Sequence, residues 1–178
     1  MIETQILVGT KVAQAIKKEV SQELEQLKKS RLVPGLAAIL VGDNPASQVY
    51  IRNKIRTCTE LEMHSETINL SEKTKTNQLI EVIQGLNERQ EIDGILVQLP
   101  LPDHVDEKTV LSAVHPNKDV DGFHPQNVAK LCAGIPTLAP ATPMGIMELL
   151  RREGIPLEGR EAIVVGRLWR DVCRCAVK

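Results

Sequence analysis

The stretch Val41-Gly42-Asp43-Asn44-Pro45-Ala46-Ser47-Gln48-Val49-Tyr50-Ile51-Arg52-Asn53-Lys54 decides the fold of this 178-residue chain. The apolar residues 37–41 predict a buried strand, and a cluster of turn formers ends it. That cluster contains two residues able to cap a helix, Asp43 and Asn44, and a proline that suits the first helical turn. Residues 46–61 contain neither glycine nor proline, so they predict a helix starting at the carboxyl end of the strand.

Three side chains of this helix share one face. Ser47, Tyr50 and Lys54 follow one another at spacings of three and four residues, which places them on the same side. Open α/β sheets bind ligands at the carboxyl ends of their strands, so a hydroxyl, a ring and an amine there can orient a flat substrate and move a proton. An isolated helix lysine is more often a solvated charge, but the tyrosine one turn earlier favours a functional Lys54.

Net charge gives no reason to expect binding to nucleic acid or to an anionic membrane. Lys and Arg number 22 against 23 Asp and Glu, so a small molecule is the expected partner. No apolar run approaches the roughly 20 residues of a membrane span, and residues 1–11 lack the pattern of a signal peptide. We therefore expect a cytoplasmic protein without membrane contact.

The cysteines and histidines give no sign of a metal site. There are four of each, and neither set has the spacing of a zinc site or of a disulfide framework. Free thiols and no metal are the expected state.

Strands alternate with helices along the first half of the chain. Residues 11–29 place apolar side chains at helical spacing, further strands are predicted at 65–70 and 94–99, and a helix begins within residues 71–77. This alternation predicts parallel βαβ units in a layered sheet.

The second part of the chain is more broken. Short helices are predicted at 106–113 and 128–132, and three prolines within residues 136–143 indicate a domain boundary. A helix at 145–153 and a buried strand at 162–165 follow, and this strand would begin a new βαβ unit.

Two polar side chains outside the opening stretch are further candidates. Gln98 interrupts an apolar run, so it either points from the strand end into a site or bonds to backbone at the strand edge. Asp121 can accept two hydrogen bonds from a planar, amidine-like group or close an Asx turn, for which Asp119 is the better candidate. Gly166-Arg167 follows a predicted strand, but without a G-x-G-x-x-G pattern it is only a weak signal of phosphate binding.

Four segments together resemble the bifunctional methylenetetrahydrofolate dehydrogenase/methenyltetrahydrofolate cyclohydrolase family. They are residues 42–54, 93–102, 116–125 and 140–145, in this order, and the resemblance extends from residue 1 to near residue 167. It implies NADP-dependent oxidation of 5,10-methylenetetrahydrofolate to 5,10-methenyltetrahydrofolate and hydrolysis of the latter to 10-formyltetrahydrofolate, in one-carbon metabolism and purine biosynthesis.

The resemblance also implies roles for individual residues. Lys54 would be the general acid/base of the cyclohydrolase step and Gln98 would hold it, while Tyr50 packs against the folate and Asp121 grips the pterin edge. These four residues form the predicted catalytic set. Further positions that would line the folate pocket are Ser47, Leu99 and Pro100, and those that would contact NADP are Thr142, Gly166 and Arg167.

The architecture expected from the resemblance is a three-layer α/β catalytic domain with a mostly parallel sheet at residues 1–139. Residues 140–178 would form the first helix and strand of an incomplete, NADP-binding Rossmann domain. Ala141 stands where the family often has cysteine, which we expect to affect the cleft only mildly. After Arg167 the chain departs from the family's Ser-x-x-Val-Gly-x-Pro pattern, so we expect a truncated chain whose dehydrogenase step is lost or very weak. Full-length relatives are expected to form homodimers.

Two alternatives from other functional classes stay open. The chain can be a non-catalytic remnant that binds a folate or a partner, which folate binding without turnover would favour. On the residues alone, it can also be a lyase that uses Lys54 as a Schiff base.

Overall fold

The computed structural model describes residues 5–161 and residue 163. Helices and strands alternate through most of this range, as the sequence predicts. In chain order they are α1 (Gly9–Lys29), β1 (Gly35–Val41), α2 (Pro45–Glu60), β2 (His64–Leu70), α3 (Thr76–Glu88), β3 (Gly94–Val97), α4 (Glu107–Ala113), α5 (Pro125–Cys132) and α6 (Ala141–Arg152).

The three strands form one parallel sheet in the order β2-β1-β3. In the central strand β1, Ile39 lies opposite Ile68 of β2 and Val97 of β3. A single parallel bridge between Ile95 and Asp119 extends the pairing beyond β3. The parallel order and the helical crossovers confirm the predicted α/β class.

Both faces of the sheet are covered, because neighbouring residues of a strand point to opposite sides. On one face, Ala38 and Leu40 pack with Ile51 of α2. On the other face, Ile39 packs with residues of α3 and α4, including Leu79, which is fully buried. The sheet is therefore the middle layer of three.

Helix α1 joins the α2 side of the molecule through ion pairs at its surface. Lys17 lies 3.2 Å from Glu60 at the end of α2, and Glu19 accepts two hydrogen bonds from Arg152 of α6 at 2.6 and 2.8 Å. These contacts connect α1 to both α2 and α6.

Several element bounds differ from the predicted ones. Strand β3 ends at Val97, two residues early, although the backbone N–H of Gln98 still donates to Ile39 at 2.9 Å. Helices α5 and α6 begin earlier than predicted, since Pro125 tolerates the first turn of α5 and Pro140 precedes the first turn of α6.

Two expectations concern the second part of the chain. The predicted boundary near residue 139 falls between α5 and α6. Of the predicted buried strand at 162–165 only residue 163 is described, and Ile163 is 91% exposed and not in a strand. No helix in the described part combines the length and the apolar character needed to cross a membrane.

Candidate functional site

Helix α2 begins directly at the carboxyl end of the central strand. The side chain of Asn44 accepts a hydrogen bond from the backbone N–H of Ser47 at 3.1 Å, and Pro45 occupies the first turn. This is the cap that the sequence predicts, and it satisfies a donor that the helix itself leaves unpaired.

The buried side of α2 carries three of its residues against the sheet. Ser47, Ile51 and Cys58 are 3%, 4% and 7% exposed, and burial raises the pKa of the Cys58 thiol. Lys54 lies on the same side at helical spacing and is half-buried. Tyr50 sits one turn before it and is 63% exposed, so its ring is available to a ligand.

The carbonyl oxygen of Leu99 brings two predicted site residues together just after β3. It accepts hydrogen bonds from Gln98 Nε2 at 2.8 Å and from Ser47 Oγ at 3.4 Å. The bond between Leu99 and the exposed Pro100 is cis. This contact connects α2 to the end of β3, where the resemblance places the folate pocket.

Gln98 bonds to backbone, which is one of the two alternatives that the sequence left open. Its amide nitrogen bonds to backbone, and because that nitrogen faces a carbonyl the orientation of the amide is settled. Its oxygen, Oε1, is buried without a hydrogen-bond partner. The contact between Gln98 and Lys54 that the resemblance implies is therefore not made through this oxygen.

The loop between α4 and α5 carries Asp121 past the end of β3. The bridge between Ile95 and Asp119 is parallel, so both segments run toward the same end of the sheet. Asp121 follows the bridge by two residues and Gln98 by three. The half-buried carboxylate of Asp121 therefore lies in the segment beside the end of β3.

Asp119 organises this loop, although not through the Asx turn that the sequence favours. Its carboxylate accepts from the backbone N–H groups of Phe123 at 3.1 Å and His124 at 2.8 Å, four and five residues on. It also accepts from Asn127 Nδ2 at 2.9 Å. Sequence reasoning missed Asn127. The one sign of its role in the sequence is its spacing of four residues from Leu131, which places this polar residue on the inward side of α5.

The predicted NADP contacts are only partly within the described residues. Thr142 is exposed on the first turn of α6, and Gly166 and Arg167 lie outside the described range. In the described part of the chain, no group of three or more His, Cys, Asp or Glu side chains could hold a metal ion.

Two cavities of the described structure lie away from the predicted folate site. One of about 880 Å³ lies between α1, α5 and α6 and has mostly apolar walls. The other, of about 810 Å³, lies on the flank of α2 that carries Arg52 and Arg56. Neither is lined by Tyr50, Lys54 or Gln98.

Comparison with known proteins places the chain in one family. The signature described as "Tetrahydrofolate dehydrogenase/cyclohydrolase, catalytic domain" matches residues 7–121. A "Bifunctional protein FolD" of Solibacter usitatus is 54% identical over 162 residues, 91% of this chain and 53% of the relative. One of Streptococcus agalactiae is 48% identical over 165 residues, 92% of this chain and 58% of the relative.

Solved structures agree with the sequence comparison. The bifunctional methylenetetrahydrofolate dehydrogenase/cyclohydrolase FolD of Campylobacter jejuni is 40% identical, with a TM-score of 0.92 over 95% of this chain and 60% of that one. A 5,10-methylenetetrahydrofolate dehydrogenase of the silkworm Bombyx mori, also 40% identical, gives a TM-score of 0.94 over 98% and 61%. The chain spans little more than half the length of the curated relatives it matches. Its signature, its sequence and its fold together establish that the chain belongs to the tetrahydrofolate dehydrogenase/cyclohydrolase family, whose catalytic domain it contains.

Proposed function

We propose that this protein acts on tetrahydrofolate derivatives and that Lys54 carries out the hydrolysis of 5,10-methenyltetrahydrofolate to 10-formyltetrahydrofolate. The observation that carries the proposal is Gln98 Oε1, which is buried without a hydrogen-bond partner among the described residues, together with the half-buried Lys54 on α2. A buried acceptor without a donor is costly. Such a group is typical of a site that is completed by a ligand or by the movement of a neighbouring side chain.

The surrounding residues suit a flat, polar substrate. The exposed ring of Tyr50 offers a stacking surface, and the carboxylate of Asp121 can accept two hydrogen bonds from the amino-pyrimidine edge of a pterin. Ser47, Leu99 and Pro100 form the wall between α2 and β3. The substrate would bind across this edge with its one-carbon bridge near Lys54.

The hydrolysis needs proton transfer in two places. Water forms a bond to the methenyl carbon and gives up one proton to a base. The bond from this carbon to N5 then breaks as N5 gains a proton and the new hydroxyl oxygen loses its own. A formyl group remains on N10, and one proton is released in total. In this proposal Lys54 accepts and returns these protons, and Gln98 Oε1 orients the amine or the water.

The oxidation step in this family would also require NADP, which accepts a hydride from the methylene carbon. Of the three predicted contacts, only Thr142 lies among the described residues, and its hydroxyl is exposed. Full activity as an NADP-dependent methylenetetrahydrofolate dehydrogenase with cyclohydrolase function is proposed for the family's whole polypeptide.

The biological setting follows from the same proposal. We place the protein in the cytoplasm, in one-carbon metabolism that supplies purine biosynthesis, and we propose that full-length relatives pair as homodimers. The division into a folate domain at 1–139 and the beginning of a Rossmann domain at 140–178 is part of this proposal.

The test is the rate of methenyltetrahydrofolate hydrolysis by the purified chain, followed by the loss of the methenyl absorbance. Lys54→Ala should abolish the enzymatic rate. Arg52→Ala is the matched control, since it removes a positive charge from the opposite flank of the same helix. Equal rates for the unmodified chain and Lys54→Ala would refute the proposal. Folate binding without turnover would favour the non-catalytic alternative, and trapping of a carbonyl substrate on Lys54 by borohydride would favour the lyase.

A further inference from the structure

The loop that carries Asp121 is held by a buried polar network. The carboxylate of Asp119 is 5% exposed, and its hydrogen bonds go to two consecutive backbone N–H groups, those of Phe123 and His124, and to Asn127. These partners lie two to six residues beyond Asp121. Asp121 therefore lies between Asp119, whose backbone bridges to β3, and the two backbone N–H groups that the Asp119 carboxylate holds.

The network extends from this loop to the segment that precedes α6. Asn127 is 3% exposed, and its Nδ2 donates to Asp119 at 2.9 Å and to the carbonyl of Pro116 at 2.8 Å. Its Oδ1 accepts from the hydroxyl of Thr137 at 2.8 Å. The amide of Asn127 thus donates two hydrogen bonds and accepts one, and these three bonds join two parts of the chain.

A second, independent contact joins the same two segments. Gly122, the residue after Asp121, has φ of +64° and lies against the backbone of residues 138–140. A Cβ at this position would lie 2.9 Å from the carbonyl oxygen of Leu138. The residue that follows Asp121 is therefore in close contact with this segment.

Holding a helix in place with a buried carboxylate has a high cost in free energy. Burying a charge is favourable only when its hydrogen bonds are nearly complete, and apolar residues of similar volume would anchor α5 at lower cost. The carboxylate of Asp119 also orients the loop, because its two oxygens accept hydrogen bonds from two consecutive backbone N–H groups. These directional hydrogen bonds favour a role in positioning the loop over a role in stability alone.

We propose that Asp119 and Asn127 are positioning residues that couple residues 137–140 to Asp121, so that the conformation of this segment sets the affinity for the pterin end of a folate. The inference rests on the proposed function, because that function supplies the role of Asp121. A change in residues 137–140 would then alter folate binding without touching the folate.

The test is the affinity of the full chain for folic acid, which carries a pterin and has no methenyl carbon to hydrolyse. Asp119→Asn removes one acceptor of the network, and Thr137→Val removes the hydroxyl at its far end while keeping the side-chain shape. Each should weaken binding about tenfold, the effect of one lost buried hydrogen bond. In an Asp121→Ala background neither should weaken it further, because coupled residues are non-additive.

A purely structural role would give a different pattern. Val110→Ala, which opens a cavity in the core on the other face of the sheet, serves as the control for general loss of stability. Equal losses of affinity with and without Asp121, or a similar loss in Val110→Ala, would overturn the proposal.

Amide hydrogen exchange separates this inference from the proposed function. Thr137→Val should speed exchange at the N–H groups of Phe123 and His124 about tenfold, although the hydroxyl that it removes donates to Asn127, and Val110→Ala should not do so selectively. If the unmodified chain binds no folic acid, the proposed function fails and the exchange result still decides the coupling. Unchanged exchange in Thr137→Val would refute it.

Discussion

Replacing Gln98 with methionine should stabilise the protein while abolishing its proposed chemistry. Methionine has nearly the same length and volume as glutamine, so it fills the same space at the end of β3. The change removes the buried Oε1 atom that has no partner. It also removes the 2.8 Å hydrogen bond from Nε2 to the carbonyl of Leu99, which leaves that carbonyl with the longer contact from Ser47 at 3.4 Å.

The two effects differ in size. A buried polar atom without a partner costs about 1–3 kcal/mol, and a typical hydrogen bond contributes about 0.5–1.5 kcal/mol net. Their difference favours the variant Gln98→Met, with a central value of about 1 kcal/mol in the free energy of unfolding. For a chain of this size, that corresponds to a rise of about 2–4 °C in Tm.

Thermal and urea unfolding of Gln98→Met would measure this change beside Gln84→Met, whose side chain is exposed on α3. The control should lie within about 0.5 kcal/mol of the unmodified chain. The rate of methenyltetrahydrofolate hydrolysis should fall to background in Gln98→Met only. A loss of stability greater than about 1 kcal/mol would show that Oε1 has a partner in solution and that the reasoning is wrong.

Three further predictions concern the fold. Gly35→Ala should prevent folding or lower Tm severely, because the added Cβ would lie 1.9 Å from the backbone carbonyl of Glu91; circular dichroism melting measures this, and a Tm near that of the unmodified chain would contradict it. Asn44→Ala should lower the free energy of unfolding by about 1 kcal/mol through loss of the cap of α2, whereas an unchanged urea midpoint would mean that the cap is dispensable. Iodoacetamide at pH 8 should alkylate the exposed Cys132 faster than Cys58, since burial raises the pKa of the Cys58 thiol and lowers its thiolate fraction; equal rates by peptide mass spectrometry would refute the difference in pKa and access.

The sequence predicts the elements of this fold well because its signals are local. The turn at residues 42–45 ends β1 and starts α2 within a few residues, and the cap at Asn44 follows from the side chain itself. The alternation of strands with helices is enough to predict a parallel, layered sheet, which the structure confirms. Boundaries at prolines are less well predicted, since a proline can begin a helix as well as end one, as Pro125 does in α5.

The contacts of the site depend on long-range geometry that the sequence does not contain. Helical spacing places Ser47 on one face of α2, but only the sheet order brings its hydroxyl to the carbonyl of Leu99, 52 residues away. Asp119 illustrates the same limit. The sequence indicates a local turn, whereas the carboxylate reaches four and five residues on and joins Asn127 of the next helix.

The buried oxygen of Gln98 is the strongest structural sign that this part of the protein is functional. Helix α2 has its cap in place and buries Ile51, and the buried apolar strand β1 pairs with both β2 and β3. A sequence that satisfies these rules elsewhere has no stability reason to retain an unpaired acceptor at the end of β3. Natural proteins keep such violations where activity requires them. If Gln98→Met is more stable and inactive, the free energy lost at Oε1 is the cost of holding an acceptor ready for Lys54 or for the attacking water.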